Sequence, residues 1–440
     1  MATTESIEFE VDDTPLPPLY YAGRQGYAML SGSRYIQLTN DTQAKEHLKA
    51  MGCDPVPEVL CRIREENYVA YIGPVAGYRP GVYVAKDSGE KILVTAGPKI
   101  IPGAAGAFPF IKAFLEDQFL DERHPDQLRA LFAWLHHARK NVINGTRRPL
   151  PALVVVGPRN CGKSLFIELV RLFLGGRTAS AFAALAGTTI FNGDILGAEL
   201  LVIDDEIASR DHRARTALGQ GIKKHFFAGS VRIESKFRQA VTMRPVQALV
   251  IAVNSEPEHL QVLPVLDDSL RDKISLVRCS MADLGAYERE DIAGFIEAEL
   301  PAFIDHVENT IIPAHLQDPR TGAAAWWHPA VVEMLAVIAP EERLRELMVQ
   351  CPEIAGKIKF HSFWEGTAAD VEKALLETET TRHGARNLLS FTSACGTFLG
   401  RIRDSRRALL ADRKVRGVTV WKITALDRGA AEPKPAEGAG

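Results

Sequence analysis

Eight consecutive residues carry the most specific chemistry in the sequence: Gly157-Pro158-Arg159-Asn160-Cys161-Gly162-Lys163-Ser164, spaced G-x-x-x-x-G-K-S. The two glycines let backbone N–H groups close around phosphate oxygens, and a helix beginning near Lys163 aims its positive dipole end at them. In that arrangement Lys163 reaches the β and γ phosphates and the Ser164 hydroxyl ligates Mg2+. Pro158, Arg159, Asn160 and Cys161 shape the loop, with Cys161 read as an inert thiol. A chance glycine turn before a helix is the bland alternative; the full match in strand, loop, helix order speaks against it. The run implies ATP with Mg2+.

Two further apolar runs end in polar residues. Leu200-Leu201-Val202-Ile203 leads into Asp204-Asp205-Glu206, the acidic group a P-loop site needs beside its metal. Asp204 is assigned to the outer shell of Mg2+ and Asp205 to polarising the attacking water; Asp205 and Glu206 fill the same roles if the strand runs one residue longer. Leu249-Val250-Ile251-Ala252-Val253 leads into Asn254. Its amide suits the positioning of an attacking water against a phosphate oxygen, or else it closes an Asx turn before Pro257.

Buried strands alternating with helices must hold these groups, and residues 151–280 show that alternation, which predicts a parallel sheet covered by helices. Around this α/β core, 151–282, the pattern predicts a strand-rich N-terminal module over 1–104 and a helical segment over 105–150. It then predicts a helical lid or connector over 283–355, a winged-helix-like basic domain over 356–426 ending in a β-hairpin, and a disordered tail over 427–440. The adjacent His136 and His137 point in different directions on a helix and share no metal.

The 440 residues carry a net charge of -3, with 46% apolar and 24% charged residues, which fits a folded multidomain chain and gives no global reason to expect nucleic acid. Six scattered cysteines show no metal-ligand spacing. A basic-then-apolar leader is missing and no apolar run reaches the ~18 residues of a membrane span, so the expectation is the cytoplasm and no membrane partner.

In order, GPRNCGKS, LLVIDDE, GSVRIESKFRQA, LVIAVNSEP and LPVLDDSLRDKI give a chain that resembles the superfamily 3 helicases of the AAA+ class. The resemblance is nearest to phage and plasmid replication proteins related to poxvirus-type primase-helicases, and spans residues 105–425. It implies an AAA+ P-loop core, a sensor role for Asn254, a homo-hexameric ring and movement on single-stranded or forked DNA. The third piece implies a channel hairpin that sets Lys236 and Arg238 near the DNA backbone with Phe237 beside them. A ring also implies an arginine finger, Arg271, with Lys273 or Arg278 as the other choices. Arg401, Arg403, Arg406, Arg407, Lys414 and Arg416 lie in a stretch, 382–422, whose ten basic and two acidic residues leave +8, a nucleic-acid footprint. Residues 1–100 show no paired-carboxylate pattern, so priming is expected from a separate primase or initiator. Two other readings stay open: a nucleotide-controlled origin-binding module, and a remodelling or defence ATPase that does not unwind DNA.

Overall fold

Aliphatic runs too apolar to leave either face in water form the central sheet. β1 (Ala152–Gly157), β2 (Thr178–Ser180), β3 (Leu200–Asp204), β4 (Ala248–Asn254) and β5 (Ile274–Arg278) lie in the order β5-β1-β4-β3-β2, every neighbour parallel. Every residue of β1 and β4 is buried, as a parallel sheet covered by helices demands. The computed structural model describes residues 9–11, 19–31, 34–85, 89–189, 193–204, 212–228, 231–233, 241–256, 259–264, 266, 268–285, 287–288, 290–337, 339–389, 392–405 and 408–425. They divide into two compact units, 1–332 and 333–440.

In the first unit, α1 (Pro109–Phe119), α2 (Asp126–Asn144), α3 (Lys163–Phe173), α4 (His212–Ile222) and α5 (Ile292–Glu308) accompany the sheet. α3 buries Phe166, Leu169, Val170 and Phe173, a helical stripe; each such side chain contributes roughly 1.5–3 kcal/mol of burial. α1 opens on Phe108-Pro109 without a side-chain cap of its own. Glu299 of α5 substitutes, accepting from the Phe110 and Ile111 amides at 3.1 and 3.0 Å, so two otherwise orphaned donors tie α5 to α1. Arg139 of α2 is buried, donating to the Phe173 carbonyl at 2.6 Å and pairing with Glu308 at 3.0 Å.

Two expected boundaries shift. The helices of 105–150 are not a separate layer, because Phe114, Phe119, Leu131 and Trp134 enter the same core as the sheet. The expected connector, 283–355, is split: α5 packs through Ile296, Leu300 and Phe303 into that core, whereas Leu344 and Met348 belong to the second unit. The N-terminal module holds strands in a three-stranded and a four-stranded sheet, and also two helices the sequence reading did not mark, Asp41–Ala50 and Val56–Glu66. Asn40 caps the first by accepting from the Gln43 amide at 3.0 Å, and Ala44 with Leu48 supplies its buried face.

The second unit runs α6 (Pro340–Gln350), α7 (Pro352–His361), β6 (Trp364–Thr367), α8 (Ala368–Glu377), α9 (Glu379–Leu388), α10 (Ala394–Ser405), β7 (Leu410–Val415) and β8 (Val418–Ile423). Its antiparallel sheet has the order β6-β8-β7, and Trp364, Leu375, Phe398 and Trp421 fill the core. The β7–β8 turn places Arg416 and Gly417 at φ of 50° and 83°, the backbone a two-residue hairpin favours. Among the described residues no helix is long and apolar enough to cross a membrane.

Candidate active site

The register of the sheet brings the predicted groups to one edge. Gly157 of β1 pairs with Asn254 of β4, and Asp204 of β3 pairs with Ala252, two residues short of Asn254. Asp204 and Asn254 therefore end adjacent strands, β3 and β4, at the carboxyl edge of the sheet, the crevice where open α/β sheets hold ligands. Asp205 and Glu206 lie outside the described residues.

The loop follows from its residues. Asn160 and Gly162 adopt φ of 59° and 100°, a region that glycine enters without strain and asparagine at low cost. Gly157 is needed for space: a Cβ there would lie 2.2 Å from Cys279 Sγ and 2.5 Å from the Cys279 carbonyl oxygen. α3 starts at Gly162 with no side-chain cap, leaving its first-turn N–H groups for an anion. Lys163 is buried, and its ammonium donates to the Pro158 carbonyl at 2.7 Å, the Gly157 carbonyl at 3.2 Å and Asn254 Oδ1 at 2.8 Å. Ser164 is exposed on the first turn. Arg159 reaches His259 at 3.1 Å and Glu256 at 3.8 Å, joining the loop to the segment after β4.

Two residues that the sequence reading passed over brace this loop. Gln118 of α1 is buried and donates to the Cys161 carbonyl at 2.6 Å. Cys279, just past β5, puts its sulfur 3.3 Å from Cys161 Sγ. That contact, aided by the Lys163 charge, draws the Cys161 thiol down, while the same contact and burial push Cys279 up. Neither has a local signal, since each acts across more than forty residues of chain.

Arg271 does not reach its own chain's loop. It precedes β5, whose Ile274 is level with Ala152, so it sits at the other end of the sheet, exposed, 5.8 Å from the Trp327 ring centroid. The Asp272 carboxylate pairs instead with Lys273 at 2.5 Å and Arg320 at 3.4 Å. Arg278, level with Val156, lies at the loop's end. Lys236, Phe237 and Arg238 fall outside the described residues, between two antiparallel strands, Val231–Ile233 and Val241–Met243.

The ten basic residues of the C-terminal stretch are partly paired by its own two acids and by two acids that precede it. Arg403 is held by Asp404 at 2.7 Å and Asp412 at 2.9 Å, Arg401 by Glu341 at 3.6 Å, and Arg413 by Glu365. Glu341 and Glu365 precede the counted stretch. Lys414 and Arg416 are exposed on the hairpin; Arg406 and Arg407 lie outside the described residues.

Asp121, His124 and His328 bring ligand atoms within 4.8 Å of one another. His328, however, accepts the Ala330 amide at Nδ1, 3.2 Å, so its Nε2–H faces Asp121 at 3.0 Å. Both ring nitrogens are engaged, Nδ1 in the local turn to Ala330 and Nε2 with Asp121 across the fold, which argues for a structural cluster.

A family model described as a family of unknown function, DUF5906, matches residues 155–271. No curated protein matches the chain. The A-form apo structure of the NrS-1 C-terminal region is similar with a TM-score of 0.54 at 11% identity, covering 92% of this chain and 96% of that one. An apo structure of NrS-1 residues 305–718 gives 0.50 at 12% identity, covering 92% and 95%. At such identity the likeness establishes a shared fold.

Proposed function

We propose that the chain is an ATP-driven DNA helicase acting in the replication of a phage, plasmid or integrated element, as a ring of identical copies around single-stranded or forked DNA. The observation that carries its ATPase part is the contact of Lys163 with Asn254 at the end of β4, beside Asp204 at the end of the neighbouring β3 and an uncapped helix start. Ser164 and Asp204 are hard oxygen donors that suit Mg2+, which when bound would neutralise charge on the β and γ phosphates. Lys163 exchanges its loop carbonyls for phosphate oxygens; Asn254 positions the attacking water, and Asp205 or Glu206 polarises it. Arg271 serves a neighbouring copy, since its own loop is at the far end of the sheet.

Unwinding is supported by the family resemblance, by the antiparallel strands that frame Lys236, Phe237 and Arg238, and by the second unit. There a helix, a strand, further helices and a closing hairpin that carries Lys414 and Arg416 support a winged-helix reading, with the hairpin as its wing. The same unit favours a second reading, nucleotide-controlled binding at an origin. ATP hydrolysis with and without forked DNA, run beside strand displacement on that fork, separates them. DNA-stimulated turnover with displacement supports the helicase. Site-preferring footprints without displacement favour the origin binder, and DNA-independent turnover alone points to a remodelling ATPase.

A further inference from the structure

Two thiols stand together under the glycine loop. Cys161, within the loop, and Cys279, just past β5, are both buried, and their sulfurs lie 3.3 Å apart. All six cysteines of the chain are free thiols. A disulfide sets its sulfurs at about 2.05 Å, so about 1.3 Å of approach separates this contact from a covalent bond. Gly157 keeps the pair in contact, since a Cβ there would lie 2.2 Å from Cys279 Sγ and 3.2 Å from Cys161 Sγ. Cys351, by contrast, turns its sulfur to Thr378 Oγ1 at 3.4 Å and to the Ala374 carbonyl at 3.7 Å.

The two thiols differ in their surroundings. Lys163 Nζ is 3.8 Å from Cys161 Sγ, and a cation beside a thiol favours the thiolate, its nucleophilic form. The contact with Cys279 first, and then the Lys163 charge against the opposing pull of burial, draw Cys161 down to about 6, whereas the contact with Cys161 and burial push Cys279 up. Cys161 is therefore the attacking sulfur and Cys279 the resolving one. Cys161 directly follows three exposed residues, Pro158, Arg159 and Asn160, so a local opening of the loop admits an oxidant little larger than water. Cys279 is anchored on both sides: its amide donates to the Val156 carbonyl at 2.7 Å, and the Ser280 amide to the Gln118 carbonyl at 2.8 Å. Closing the gap thus moves the loop.

We infer that Cys161 and Cys279 are an oxidisable pair, a modification site at which a peroxide converts two thiols into one intrachain disulfide. The Cys161 thiolate attacks a peroxide oxygen; an S–O bond forms, the O–O bond breaks, and the departing hydroxide takes up the proton that Cys161 has lost. The Cys279 sulfur then attacks the Cys161 sulfur; the S–S bond forms, the S–O bond breaks, and the second hydroxide leaves with the Cys279 proton. Two thiols give up two electrons and two protons, and one hydrogen peroxide becomes two waters. The new bond draws Cys161 toward the end of β5 and shifts the loop N–H groups from the position that phosphate oxygens need. That last consequence rests on the ATPase reading; the disulfide itself does not.

The test treats the full, reduced chain with hydrogen peroxide, alkylates the remaining thiols, and maps the digested peptides under non-reducing conditions. The expected result is a Cys161–Cys279 linked peptide that dithiothreitol abolishes and that Cys279→Ser lacks. Cys161 and Cys279 both recovered as alkylated thiols, or Cys161 carried to sulfinic acid without linkage, would overturn the pair; the map of the unsubstituted chain decides this even if Cys279→Ser does not fold. A fluorescent ATP analogue is then titrated against the reduced and the linked chain. Linkage should weaken binding about tenfold or more, the loss of one hydrogen bond to a charged group, and dithiothreitol should restore it. Linkage with unaltered affinity overturns control of the loop. A reduced chain that does not bind the analogue counts against the ATPase reading, while the peptide map still upholds the pair.

Discussion

The Lys163 ammonium stands 2.8 Å from the Asn254 side-chain oxygen, a contact that joins the glycine loop to a strand beside it. Asn254→Ala should therefore lower kcat for ATP about 10²-fold or more with KM little changed, the loss typical of one positioning group. Asn254→Asp should also raise KM, because a carboxylate there holds Lys163 as an ion pair and repels the γ-phosphate. Steady-state kinetics decides; an equal KM in the two variants would refute the contact's role.

Gly157→Ala should abolish nucleotide binding, and Cys279→Ala should not rescue it. The second change removes the sulfur 2.2 Å from the new Cβ but leaves the Cys279 carbonyl oxygen at 2.5 Å. Titration with a fluorescent ATP analogue reads this out, and recovery in the double variant would show that the backbone has room to move.

Gln118→Leu should lower stability by about 1–3 kcal/mol, the usual cost of leaving a buried carbonyl unpaired, and raise KM for ATP through a looser loop. Denaturant unfolding and kinetics measured together test the pair of effects. Loss of stability with an unaltered KM would make Gln118 a packing residue only.

Mixing variants tests the arrangement of copies. Arg271→Ala keeps its own P-loop, and Lys163→Ala keeps its Arg271, so each should be inactive alone and a mixture should turn over ATP above the sum of the two. A strictly additive mixture would count against a finger supplied by a neighbour.

Stability should fall in mild acid. Burial, then the charges of His136, Arg148 and Lys140, hold His137 down to about 4, while an unfolded histidine titrates near 6.5. Between those values the unfolded chain binds more protons, so this stabilisation is whole above about pH 6.5 and drains away as pH falls toward 4. His225 and His328, also lowered mainly by burial, act in the same direction. His137→Gln should flatten part of the decline between pH 7 and 5 in urea unfolding; an unchanged decline would rule His137 out.

Much of this site was legible because its determinants are local. The glycine loop, the apolar run before it and the amphipathic helix after it are contiguous, and each acid or amide ends its own strand. What could not be read was set by partners far along the chain. Gln118 and Cys279 reach Cys161 across the fold, and Glu299 replaces a cap that α1 lacks. A charge count over one stretch missed Glu341 and Glu365, which precede it and neutralise Arg401 and Arg413.

β4 is laddered to β1 on one side and β3 on the other. A strand held along both edges cannot slide lengthwise by a fraction of a residue without breaking hydrogen bonds on each flank. It thus behaves as a stiff push rod, with the amide of Asn254 at one tip and the root of the hairpin at the other. Every residue of β4 from Ala248 to Asn254 is paired on at least one edge, so a load at one tip meets no unpaired joint within the strand.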